Sequence, residues 1–182
     1  MSIEPGKYEL GPENGTLRIR TGRRGGAAKA GHDLLIEVTN WKATIDASAQ
    51  PAQTRISLSA DAKSMRVLEG TGGMMTLGDS DKDGIRQTID EEVLMGSSIE
   101  FRSTDVQADA NGGPLQVRGE LELLGKTAPV SFTLQTGDDG RVTGSATLTQ
   151  SDWGIKPYSA LFGALRVADE VEVEFGAELP SG

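Results

Sequence analysis

Apolar residues recur at every second position along most of this chain, and no other feature limits its fold as strongly. Leu115, Val117, Gly119, Leu121 and Leu123 fall on one face of a segment whose other face carries Gln116, Arg118, Glu120 and Glu122. Near the C-terminus Val171, Val173, Phe175, Ala177 and Leu179 alternate with Glu170, Glu172, Glu174 and Glu178. Successive side chains of a β-strand point to opposite faces, so these segments predict strands with one dry and one wet face. The same pattern occurs at Leu17 and Ile19, at Ile56 and Leu58, at Ile99 and Phe101, at Val130, Phe132 and Leu134, and at Val142, Ala146 and Leu148. From Leu34 to Ile45 the alternation changes phase, since Leu34, Ile36 and Val38 give way to Trp41, Ala43 and Ile45; a bulge in a long strand produces such a slip.

Short turn sequences separate the strands: Asn111-Gly112-Gly113-Pro114, Gly137-Asp138-Asp139-Gly140 and Gly125-Lys126-Thr127. Connections this short join antiparallel neighbours, because parallel ones need a crossover of about a dozen residues or more. The count is eight or nine strands in a single domain over 1–182, with no interrupting linker. A one-sided antiparallel sheet must hide its dry face, either as a sandwich or by closing into a barrel, and closure also removes the exposed edges.

Two segments break the period. After Ser80, apolar residues fall at Ile85, Ile89, Val93 and Leu94, which is helical spacing; a helix is predicted at about 80–95, with Ser80 as N-cap and Gly96 ending it. The long connection 151–168 holds Trp153, Tyr158 and Phe162. Such a length suits a cap that packs as core or a lid over a cavity, with those three aromatics as its working residues.

Composition excludes several functions. The chain has no Cys and one His, so thiolate chemistry and multi-histidine metal sites are out. Its net charge of −9 argues against nucleic acid as a partner and disfavours docking on an anionic membrane. No apolar run is long enough for a membrane helix, and the N-terminus does not read as a secretory signal, so a soluble, cytoplasmic protein is expected.

Three constellations bear on chemistry. Asp79, Asp81 and Asp83, with Asp90 in twelfth place, resemble the spacing of a calcium loop. Arg86 occupies the eighth place, usually apolar, and the residues before Asp79 make no entering helix. An acid-rich helix start explains the same letters, and no metal is expected. The basic stretch around Arg23 and Arg24, with His32 close behind, is either a solvated hairpin loop or a holder for a ligand's polar head. His32 lacks the Ser and Asp partners of a catalytic triad, which argues for a non-enzymatic protein.

Taken in order, several segments carry a family resemblance: Ala30-Gly31-His32-Asp33-Leu34, Thr44-Ile45-Asp46-Ala47, Ser98-Ile99-Glu100-Phe101-Arg102-Ser103, Val117-Arg118-Gly119-Glu120-Leu121, Leu124-Gly125-Lys126-Thr127-Ala128-Pro129-Val130, Asp152-Trp153-Gly154-Ile155 and 167–173. With these the chain resembles the YceI-like family, also described as polyisoprenoid-binding proteins. The resemblance implies an eight-stranded antiparallel, lipocalin-like β-barrel holding a polyprenyl or quinone-like chain, or a fatty amphiphile, as a small hydrophobic ligand. Leu17, Ile19, Leu34, Ile36, Ile56, Leu58, Phe101, Leu121, Val130, Phe132, Val173 and Phe175 are the expected inward residues, lining a cavity or filling a core. The competing readings are a filled barrel acting as an interaction module, and an enzyme on a small amphiphile built around His32, Asp33, Arg23, Arg24 and Tyr158. A homodimer is among the expected partners.

Overall fold

The computed structural model describes residues 3–108 and 113–180. It contains strands β1 (Gly6–Leu10), β2 (Gly15–Arg24), β3 (His32–Val38), β4 (Trp41–Ala47), β5 (Arg55–Asp61) and β6 (Met65–Gly72). Helix α1 (Asp79–Thr88) follows, then β7 (Ser98–Ala108), β8 (Leu115–Leu123), β9 (Lys126–Thr136), β10 (Arg141–Thr149), β11 (Ser159–Ala160) and β12 (Leu165–Glu178). All pairings are antiparallel, and the strand order is β1-β4-β5-β7-β8-β9-β10-β12-β2-β3-β6, with β11 paired to β12.

Eleven of the twelve segments reduce to an eight-stranded barrel, and the two-residue β11 lies beside β12. Three of its strands are each broken at a corner, giving the consecutive pairs β1/β2, β3/β4 and β5/β6. Both halves of β1/β2 pair with β3/β4, and both halves of β3/β4 pair with β5/β6. The ring closes where β12 pairs β2. The phase slip between Val38 and Trp41 is one of these corners, a sharper feature than a one-residue bulge. Thr39 N–H donates to the Ser64 carbonyl and Asp61 N–H to the Asn40 carbonyl, so the corner faces a single helical turn (Ala62–Ser64) in the partner strand. From Val38↔Met65 to Trp41↔Ala60, three steps on one strand oppose five on the other. The extra residues bend both strands sharply and keep apolar side chains inward on each side of the bend.

The turns follow their glycines. Leu124 and Gly125, both at positive φ, make the two-residue β8–β9 hairpin turn, which starts one residue before the expected one; Lys126 and Thr127 already belong to β9. Gly140, also at positive φ, closes the β9–β10 turn. Residues 111–112 of the expected Asn111–Pro114 turn lie outside the described residues.

Helix α1 begins after Gly78 rather than Ser80. The Asp81 carboxylate accepts from Gly78 N–H at 2.9 Å, tying down the start of the helix from within its first turn. The helix runs on as a wider π turn (Ile89–Val93), and Met95 and Gly96 end it at positive φ. The capping loop is shorter than 151–168. It begins with the turn Gln150–Trp153 and ends where β12 starts at Leu165.

The two ends of the barrel differ. Leu10, Ile45, Val106, Val117 and Val142 are fully buried toward one end, where Trp41 packs edge-on against Phe175 at 5.7 Å. Toward the other end the inward residues Ile19, Leu34, Leu58, Phe132 and Leu148 are only partly buried. Helix α1 and the 150–164 loop both belong to this second end.

Candidate functional site: an apolar cavity in the barrel

Inward residues that stay partly accessible must face a space. Here it is a cavity of about 820 Å³, within the usual range of ~300–1,000 Å³ for ligand sites. All twelve inward residues expected from the alternation line it: Leu17, Ile19, Leu34, Ile36, Ile56, Leu58, Phe101, Leu121, Val130, Phe132, Val173 and Phe175. A packed barrel core would leave no room of this size. Strand alternation places these side chains inside, and small residues hollow the wall. Gly144 and Ala146 of β10 both line the cavity. Gly119 leaves room for the Phe101 ring, which would lie 2.5 Å from a Cβ at that position. Phe101 in turn packs against Phe132 at 5.5 Å.

The helix forms one wall of the mouth. Ile85, Ile89, Val93 and Leu94 face the cavity, and the π turn keeps Val93 and Leu94 on that side. The sequence predicts these four as helical and does not place them in the cavity lining. Their four-residue spacing carried the signal, but the target of that apolar face is a tertiary fact. Polar lining groups gather at the same end: Thr21, Ser80, Asp81, Thr88, Gln150 and Tyr158. Among the described residues Asp81 is the single charged side chain of the lining, so the deep part of the cavity is apolar and its mouth is polar.

The three aromatics of the capping loop separate. Trp153 is buried, lines the cavity and donates its indole N–H to the Leu121 carbonyl at 2.7 Å. Tyr158 lines the mouth and is half exposed. Phe162 lies outside the cavity, fully exposed, because Leu161 and Phe162 both take left-handed backbone that turns the ring outward.

Arg23, Arg24 and His32 do not line the cavity. The Arg23 guanidinium is held by Asp33 at 3.3 Å and by the Gly31 carbonyl at 2.5 Å. Arg24 donates to the Arg23 carbonyl. His32 Nε2–H donates to the Met75 carbonyl at 2.5 Å, tying β3 to the segment before the helix. Asp79, Asp81 and Asp83 lie in α1, with Asp81 engaged in capping, and Asp90 lies in the π turn. Among the described residues no three His, Cys, Asp or Glu side chains gather as a metal site. On the outer face the hydrogen bond to Glu174 raises the pKa of the Arg20 guanidinium above its ordinary value.

A family model described as YceI-like domain matches residues 8–179. The chain belongs to the YceI-like family. Burkholderia cenocepacia BcnA has a similar structure, with a TM-score of 0.64 and 16% identity over 89% of this chain and 94% of BcnA. A mutant of the Campylobacter jejuni YCEI protein aligns with a TM-score of 0.51 and 11% identity, over 81% of this chain and 85% of that one. At these identities the likeness concerns the fold of the YceI-like barrel. A comparison with curated protein sequences finds no match. Among the described residues no helix is long and apolar enough to cross a membrane.

Proposed function

We propose that this YceI-like barrel binds and carries one apolar-tailed amphiphile of the isoprenoid type, polyprenyl or quinone-like, without acting on it chemically. The observation that carries this reading is the cavity of about 820 Å³, apolar at depth, with its polar groups at one mouth. An apolar cavity stays dry and favours an apolar guest over water. The guest enters tail first toward Trp41 and Phe175, and its head rests near Ser80, Thr88 and Tyr158. With Asp81 as the only charged group in the lining among the described residues, the site suits a neutral head such as a quinone ring or an alcohol rather than a phosphate. The non-catalytic reading draws support from His32, which is engaged with the Met75 carbonyl and stands apart from the lining.

Native mass spectrometry tests this. The protein is incubated with a polyprenyl quinone delivered from ethanol, in parallel with the matching polyprenyl phosphate. A 1:1 adduct with the quinone, stronger than with the phosphate, is the expected result. The apo mass alone under both conditions would sink the carriage reading.

A further inference from the structure

The net charge of −9 predicts repulsion from an anionic membrane, but charge is not spread evenly over this molecule. Three rim segments surround one side of the cavity mouth: 22–31, 71–78 and 154–166. Together they carry five cations (Arg23, Arg24, Lys29, Lys156 and Arg166) and none of the chain's 27 carboxylates. The segments are in contact. Ala27 N–H donates to the Ala164 carbonyl at 2.9 Å, and His32, just beyond the first segment, is bonded to Met75. Arg23 is paired with Asp33, whereas Arg24, Lys29, Lys156 and Arg166 have no ion pair among the described residues. Arg24 and Arg166 stand directly opposite each other in the β2–β12 register, an arrangement that like charges disfavour unless an anion sits across them. Of the carboxylates flanking these segments, Asp33 is held by Arg23, Asp169 by Ser151 and Asp81 by Gly78 N–H, while Glu69, Asp79 and Asp152 are exposed.

Large apolar side chains project from the same rim. Phe162, Leu161, Met74 and Met75 are all exposed, Phe162 completely. Leu161 and Phe162 take consecutive left-handed conformations without being glycine, with φ of 52° and 54°. Such backbone is strained for non-glycine residues and clusters at functional sites. Both apolar segments run directly into the cavity wall: Leu77 follows Met75, and Tyr158 precedes Phe162, and both line the mouth.

We infer that this rim docks on an anionic lipid surface, with Phe162, Leu161, Met74 and Met75 at the acyl boundary and the cations over the headgroups. Apolar anchors beside clustered cations are the combination that holds a protein at such an interface. Docking there sets the cavity mouth against the bilayer, so a guest crosses without passing through water. That consequence rests on the carriage reading; the docking itself does not.

The test uses the full chain without ligand, floated with vesicles of phosphatidylcholine alone or mixed with phosphatidylglycerol. Flotation with the mixed vesicles, reduced by salt and weaker on phosphatidylcholine, is expected. Phe162→Ser removes a side chain with no packing role and lowers the partition coefficient about tenfold. Arg24→Ala lowers it roughly fivefold. In Phe162→Trp the added indole shifts its emission to the blue on mixed vesicles and is quenched by brominated lipid. Absence of flotation on both compositions overturns the proposal, as does flotation unchanged in Phe162→Ser. A dimer in sedimentation velocity that Phe162→Ser dissociates, without vesicle binding, overturns it in favour of a second copy. Quinone uptake from ethanol without vesicle binding removes docking alone. Vesicle binding without uptake leaves docking standing and removes carriage.

Discussion

The indole N–H of Trp153 reaches the carbonyl of Leu121 at 2.7 Å, and through this bond the loop that follows β10 is fastened to β8 beside the mouth of the cavity. The contact joins residues 32 positions apart, in a place where the carbonyl has no water to turn to. It makes Trp153 a fixed part of the wall, whereas Tyr158, five residues on, is half exposed.

Trp153→Phe keeps an aromatic ring and deletes the donor, while Leu121 stays opposite Ala128 in the β8–β9 ladder. A loss of about 0.5–1.5 kcal/mol in urea unfolding is expected. Quinone binding is expected to survive with a faster off-rate, because the cavity keeps its lining while the loop loses an anchor. Unchanged stability would mean that this bond does not fasten the loop.

Gly119 leaves space for the Phe101 ring, and the Arg102 carbonyl crowds the same position. Gly119→Ala is expected to lower stability by about 1–3 kcal/mol through overpacking. Phe101→Leu in the same chain relieves the part of the crowding that comes from the ring, leaving that from the Arg102 carbonyl, so the double mutant should be more stable than the sum of the two single effects. Thermal unfolding of the four proteins checks this, and strict additivity would disprove the contact.

Ala146 lines the cavity and is partly buried, so Ala146→Phe grows into empty space rather than into packed core. Its Tm should hold or rise while capacity for the quinone falls by tenfold or more, as read by native mass spectrometry. A matched fall in Tm would instead indicate that the site is already packed.

Asp81 accepts from Gly78 N–H and also stands at the mouth. Asp81→Ala should destabilise the helix start by about 0.5–2 kcal/mol. The effect is expected as faster hydrogen exchange over 78–93, with strand amides unaffected, since α1 packs on the barrel without any fully buried residue of its own. Protection lost evenly across the barrel would show that the helix is not a separate unit.

What was legible in the sequence, and what was not, follows from the range of each signal. Alternation is local, because the pleat alone sends Leu17 and Ile19 or Val173 and Phe175 to chosen faces, and all twelve inward residues could be named without a fold. The Val38–Trp41 phase slip was visible for the same reason. Its partner turn at Ala62–Ser64 was not, because the geometry of a corner depends on both strands. The helix start was placed two residues late, since Gly78 has no capping side chain and only the folded turn brings Asp81 to its N–H.

Contacts between segments far apart in the chain lay beyond that range. Arg23 and His32 read as head-group binders because they are basic and close together in sequence; tertiary structure engages them with Asp33, Gly31 and Met75. A single net charge could not reveal that 22–31 and 154–166, which carry cations and no carboxylate of their own, meet on one rim. By itself the sequence determined which side chains of this YceI-like barrel turn inward, because that depends on each residue and its immediate neighbours. Only the tertiary structure decided whether those side chains meet one another or enclose a space. That outcome depends on strand number, on the three corners and on what stands across the barrel, none of which is a property of any one segment.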